Sequence, residues 1–145
     1  MPDPRAINVQ RFRESQGATR VHILTAIQPF TVSQERFVVI ERPGEAWLIH
    51  GRRCTPRTPL GHGRTQRIDG ETLTEFLQRL GAADAAWDSD AIPAGIHDGV
   101  TITIERAEDG DYRRARMVEP PEGGAHERLR AAWMTTFPEV AHALT

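Results

Sequence analysis

The chain has 145 residues, 39% hydrophobic and 26% charged, with a formal net charge of −2. That length and balance predict one globular domain, 1–145, and exclude a disordered or low-complexity chain. A single cysteine, Cys54, excludes an internal disulfide, no stretch approaches the ~18–20 apolar residues of a membrane span, and the polar start lacks the apolar core of a secretory signal, so the expected location is cytoplasmic.

Every basic residue is arginine, and Asn8 is the one asparagine, a bias expected of a GC-rich bacterial genome. Charge is unevenly spread: residues 1–67 hold 11 arginines against 5 acids, and residues 68–145 hold 7 against 15. Such asymmetry marks either halves that neutralise each other in one fold or surfaces for charged partners.

Residues 1–15 read as an N-terminal arm, loosened by Pro2 and Pro4, in which Ile7, Val9 and Phe12 form an edge strand or a docked segment. Arg20 to Ile27 alternates as a strand, closed by Pro29, which cannot donate to a ladder. Phe37-Val38-Val39-Ile40 is a β-branched run suited to a strand buried on both faces. Pro43-Gly44 predicts a turn, and Ala46 to His50 returns as a third strand of a meander. Gly51 to Arg67 breaks the pattern with two prolines and three glycines and reads as a loop, with strand resuming around Thr65 to Ile68.

Thr72 and Glu75 form a capping box, and Leu73, Phe76, Leu77 and Leu80 fall on one helical face before Gly81. Ala82 to Gly99 reads as a connector carrying Trp87. Val100 to Pro121 then predicts a β-hairpin about Asp109-Gly110, with a type I′ turn. Folding about that dipeptide pairs Ile104 with Ala115 and Ile102 with Met117 on one face. The same register sets Glu105 against Arg114 and Thr103 against Arg116 on the other, so apolar pattern and charge specify it independently. A last helix spans His126 to Thr136 with a stripe of Leu129, Ala132, Trp133, Thr136 and Phe137, and Pro138 starts a final turn. The expected fold is α+β: an antiparallel sheet built from meander and hairpin, with two main helices packed on one face.

Candidate chemistry is sparse. Arg52, Arg53, Arg57, Arg64 and Arg67 occur without an intervening acid, and arginines converging from a loop fork phosphate or carboxylate groups. No aromatic residue lies among them to stack a base. Asp109 and Asp111 at the hairpin tip, with Asp88, Asp90 and Trp87 of the connector, form a candidate acidic docking face. Gly61-His62-Gly63 lacks the spacing of a phosphate loop. Cys54 and His50 would lie roughly 13 Å apart on an extended strand, too far to share a proton. His97 and Asp98 with Asp88 and Asp90 lack the spacing of a calcium loop or a helical ligand pair. No catalytic, cofactor or metal residue is assigned.

From Thr72 to Leu144 the order of capped helix, Trp-bearing connector, Asp98-Gly99, hairpin with Tyr112, Pro120 and amphipathic helix resembles small bacterial α+β proteins of unknown function, some similar to toxin-immunity proteins. That resemblance implies a protein-binding inhibitor with no catalytic residues to carry over. The expectation is therefore a module that binds a protein partner without catalysis. The alternatives are a nucleic-acid or polyanion binder working through the 51–67 arginines, and an enzyme whose partners lie far apart in sequence.

Overall fold

Alternating apolar residues give the chain its sheet. A computed structural model describes residues 3–29, 33–53, 61–95 and 98–144, with only the backbone described at His62. The meander is β1 (Arg20–Ile27), β2 (Gln34–Arg42), β3 (Glu45–Arg53) and β4 (Gly61–Ile68), each antiparallel to the last. The hairpin is β6 (Thr101–Glu108) and β7 (Asp111–Met117), preceded by the two-residue β5 (Asp90–Ala91). Strand order is β4-β3-β2-β1-β6-β7-β5. The hairpin thus joins the meander along β1, and the fold is α+β.

All four hairpin pairs are found as the register predicts. The turn type is not the predicted one. Type I′ needs positive φ at both central residues, but Gly110 alone is in the left-handed region, at φ 72°. Pro43-Gly44 repeats that arrangement with Gly44 at φ 78°, as the second central residue of a type II turn requires.

Helices α2 (Gly70–Gly81), α3 (Ala125–Thr136) and α4 (Pro138–Leu144) cover one face of the sheet. The cap of α2 is Asp69, not Thr72. The Asp69 carboxylate accepts the Thr72 amide at 2.8 Å, so the helix begins at Gly70. Backbone hydrogen bonds from Thr72 hold that exposed carboxyl below its ordinary range. Phe76 and Leu80 are buried, and Leu73 and Leu77 pack at the margin of the same core. Phe76 meets Trp133 edge-on, with centroids 5.1 Å apart, a geometry worth about 0.5–1.5 kcal/mol beyond area burial. Arg79 on α2 donates to the Thr136 hydroxyl of α3 at 2.9 Å.

Two segments differ from expectation. Among the described residues of the 1–15 segment, the expected strand or loose arm is instead α1 (Pro4–Ser15), a helix lying on the opposite face. Asp3 caps it by accepting the Arg5 amide at 2.9 Å, and Pro4 stands at its first position, where the missing N–H costs nothing. The 51–67 segment is mostly strand: β3 runs on to Arg53 and β4 starts at Gly61. Pairing to β3 overrides the poor strand propensity of a Gly- and Arg-rich edge. Residues 54–60 lie outside the described residues. The 82–99 connector holds a 3-10 turn at Asp84–Ala86 as well as β5, which pairs parallel to β7.

Candidate functional site

The two faces of the sheet differ in how completely they are covered. Beneath α2, α3 and α4 the strands bury Leu24, Phe37, Val39, Leu48, Ile104 and Met117. On the other face Val9 and Phe12 of α1 pack on Val21, Ile23, Val38, Ile40 and Ala107. The helix is pinned at its middle and just past its C-terminal end. Gln10 donates to the Glu108 and Asp111 carbonyls at 2.8 and 3.2 Å. Arg42 donates to the Gln16 carbonyl at 2.7 Å.

One helix cannot roof a sheet this wide. Beside α1 the uncovered face is a cleft of about 780 Å³. Its floor comes from outward-facing positions: Ile23, Thr25 and Ile27 of β1, Gln34, Arg36 and Val38 of β2, Ile49 and Gly51 of β3, Thr65 of β4, and Thr103 and Glu105 of β6. One wall is α1, with Arg5, Asn8, Val9, Phe12 and Gln16. A volume between about 300 and 1,000 Å³ and a lining that sets apolar side chains beside polar and charged ones suit a small ligand with both kinds of surface.

Two charges stand on that floor. Arg36 is half-buried, and its Nε is shielded from water with no hydrogen-bond partner among the described residues. Burial weakens the guanidinium's hold on its proton, the Glu105 charge opposes that loss, and Arg53 adds to it. Cross-strand from Arg36 is Gly51, which has no side chain to fill the space beside it. Glu105 accepts the Tyr112 hydroxyl at 2.6 Å. Burial, together with that carboxylate, pushes the phenol's pKa well up.

Strand alternation separates the candidate arginines. Arg52 and Arg64 lie on the helix-covered side of the sheet, while Arg53 and Arg67 lie on the cleft side. Arg52 is 3.8 Å from Glu35, and an Arg53 Nη donates to the Gln34 side chain. Arg57 and Cys54 fall outside the described residues. The expected convergence of the segment on one anion is therefore not seen among the described arginines.

The acidic candidates are close together but largely matched. Asp88 accepts from Arg113 at 2.7 Å, and Asp111 lies 3.1 Å from the same guanidinium. Asp88 and Asp111 in turn hold the Arg113 pKa up. Asp90 is 3.9 Å from Arg116, and Asp109 is exposed at the turn. Trp87 is partly buried, packed against the main core with Arg106 over its ring at 5.0 Å. Asp88, Asp90, Asp3 and Arg114 line a second, polar pocket of about 380 Å³.

The histidines take structural places. His50 stacks on Phe37 and contacts Glu35 at 3.1 Å. His22 is buried, its Nε2 2.6 Å from Glu41, which Arg20 also approaches at 3.0 Å. Burial dominates over the Glu41 contact and lowers the His22 pKa. His97 lies outside the described residues, and among those described no group of three or more His, Cys, Asp or Glu side chains is placed to hold a metal ion.

Sequence reasoning missed the cleft. Its one local trace is a polar residue, Arg36, heading the apolar run of β2. Comparison with known proteins assigns no role to these residues: no protein-family model matches the chain, and no curated protein matches its sequence.

Proposed function

We propose that this protein is a ligand-binding protein and that the cleft between α1 and the open sheet face takes a small organic molecule with an apolar body. One observation carries the reading: the floor joins Ile23, Val38 and Ile49 to a half-buried guanidinium whose Nε has no partner among the described residues. The Nε is shielded, so a ligand acceptor meets the remaining nitrogens of the half-buried guanidinium, where a hydrogen bond to a charged group contributes about 1.5–3 kcal/mol. Ile27, 41% exposed at the cleft, leaves further apolar surface for a ligand to cover. Docking of a basic protein partner, as an immunity-type inhibitor would require, draws less support, because Asp88, Asp90 and Asp111 already face Arg113 and Arg116.

The test is a titration with Nile red, an uncharged dye that brightens in apolar surroundings. Saturable brightening is expected, and Thr65→Trp and Asn8→Trp, which add bulk at two exposed lining positions, should each abolish it. Brightening that both variants leave intact places the dye elsewhere and overturns the reading.

A further inference from the structure

The cleft is polarised along β2. Its outward-facing residues run Gln34, Arg36, Val38 and Ile40. The last two belong to the apolar cluster under α1, whereas the first two sit at the far end of the strand. Arg53 lies at that same end, paired in register with Gln34, and its Nε is likewise shielded and unpartnered among the described residues. Along β2 the cleft thus grades from the apolar Val38 to the half-buried Arg36 guanidinium, while on the neighbouring strands Ile27 lies level with Gln34 and Glu105 level with Val38.

We infer that the ligand is an amphipathic monocarboxylate, its head group on the Arg36 guanidinium and its apolar chain directed towards Val38, Ile49 and Phe12. This rests on the reading of the cleft as a ligand site and adds the head-group chemistry to it. A planar guanidinium matches a carboxylate in a bidentate, charge-assisted pair, and partial burial strengthens the attraction. Gly51, cross-strand from Arg36, brings no side chain of its own to compete for the guanidinium. Two features limit the head to a single negative charge. Glu105 stands on the same floor, one strand beyond β1 from Arg36, and repels additional anionic charge. One Arg53 nitrogen is already engaged by Gln34, which leaves less donor capacity for a phosphate dianion.

The experiment is calorimetric titration of the full chain with four probes sharing one alkyl chain: decanoate, decanol, decylamine and decyl phosphate. Decanoate should bind at least about tenfold more tightly than decanol, the scale of one charge-assisted hydrogen bond, and decylamine more weakly than either. Arg36→Met should bring decanoate down to the decanol level without changing decanol, Arg36→Lys should restore part of the difference, and Arg11→Met, an equal charge change on the exposed side of α1, should have no effect. Equal binding of decanoate and decanol overturns the carboxylate assignment and leaves the cleft reading standing, provided Thr65→Trp blocks both. Tightest binding by decyl phosphate also overturns it. The wild-type comparison needs no variant to fold. If none of the four binds, the cleft reading fails along with the head group.

Discussion

The same strands present two faces, and they are finished differently. Towards α2 and α3 the outward positions are Leu24, Phe37, Leu48 and Ile104, all essentially without solvent exposure. Towards α1 the alternate positions split: Val21, Ile23, Thr25, Val38, Ile40 and Ala107 are buried, whereas Arg36, Ile49 and Thr103 are only half-buried. The first face is a closed core centred on the Phe76–Trp133–Phe137 cluster of rings. The second is held by a helix that buries a single residue, Val9, and leaves the rest of the sheet open. Stability concentrates on one side, and on the other the chain retains side chains that folding alone does not need. A half-buried arginine beside a glycine is a poor way to build a core and a good way to build a site.

Truncations on each side give the sharpest contrast. Trp133→Ala should cost about 3–5 kcal/mol, because it empties the centre of the closed core, while Phe12→Ala, half-buried under α1, should cost about 1 kcal/mol. Urea midpoints at constant m-value measure both. Comparable losses would mean that α1 closes a second core and that the cleft is smaller than its walls indicate.

Acid should also act on the closed side. His22 lies there against Phe76, with ring centroids 5.2 Å apart, and burial sets its folded pKa below the ordinary histidine value of 6.5. Between that depressed value and 6.5 the unfolded chain binds the proton more readily than the folded one, so stability is full above pH 6.5 and declines as pH falls below it. The urea midpoint should drop across this window, and His22→Gln, which keeps a donor towards Glu41, should flatten the drop. A wild-type midpoint that stays constant to about pH 5 would show that the Glu41 contact balances burial, and one that rises on acidification that it outweighs burial.

What the sequence disclosed follows from how local its signals are. Strand β1 was legible to the residue because alternation and Pro29 bound it. The hairpin register was legible because apolar pairing and charge pairing agree on it. The N-terminal helix was obscured because only Val9 turns inward; its two signals, Asp3 as cap and Pro4 at the first position, read equally well as a loose start. Edge strand β4 is polar and Gly-rich, so only its neighbour β3 makes it a strand. The cleft is less local still. Thr25, Arg36, Ile49, Thr65 and Thr103 become neighbours only through the order β4-β3-β2-β1-β6, which no period in the chain encodes. The charged clusters misled for a related reason. Arginines adjacent in sequence diverge once strand alternation sends them to opposite faces, and acids spread over the connector and hairpin find arginines on β7.

A smaller effect tests the anchoring of α1. Tyr112 is half-buried on the cleft side, packs with Phe12 in the second cluster and donates to Glu105. Tyr112→Phe should cost about 1 kcal/mol, less than the usual worth of a hydrogen bond to a charged group because water reaches the site. It also frees Glu105 to face the cleft unshared, so decanoate should bind the variant more weakly than wild type. Unchanged decanoate affinity would place the head group beyond the reach of Glu105.

The smallest effect belongs to the acidic edge. Asp90 and Arg116 lie 3.9 Å apart with side chains 50% and 38% exposed, the regime in which an ion pair gains little over separate hydration. Strand β5 does not depend on that pair. The Asp88 amide donates to the Arg114 carbonyl at 2.7 Å, and the Val118 amide donates to the Ala91 carbonyl at 3.0 Å, so backbone bonds hold the segment against β7. Asp90→Ala should therefore shift the urea midpoint by no more than about 0.5 kcal/mol. A loss above about 1 kcal/mol would show that charge pairing secures this edge, and the acids would then be part of the fold's own closure instead of surface open to a partner. A negligible loss leaves Asp90 free to be reversed in binding assays without disturbing the sheet, which makes it the cleanest position at which to ask whether a basic partner uses this side at all.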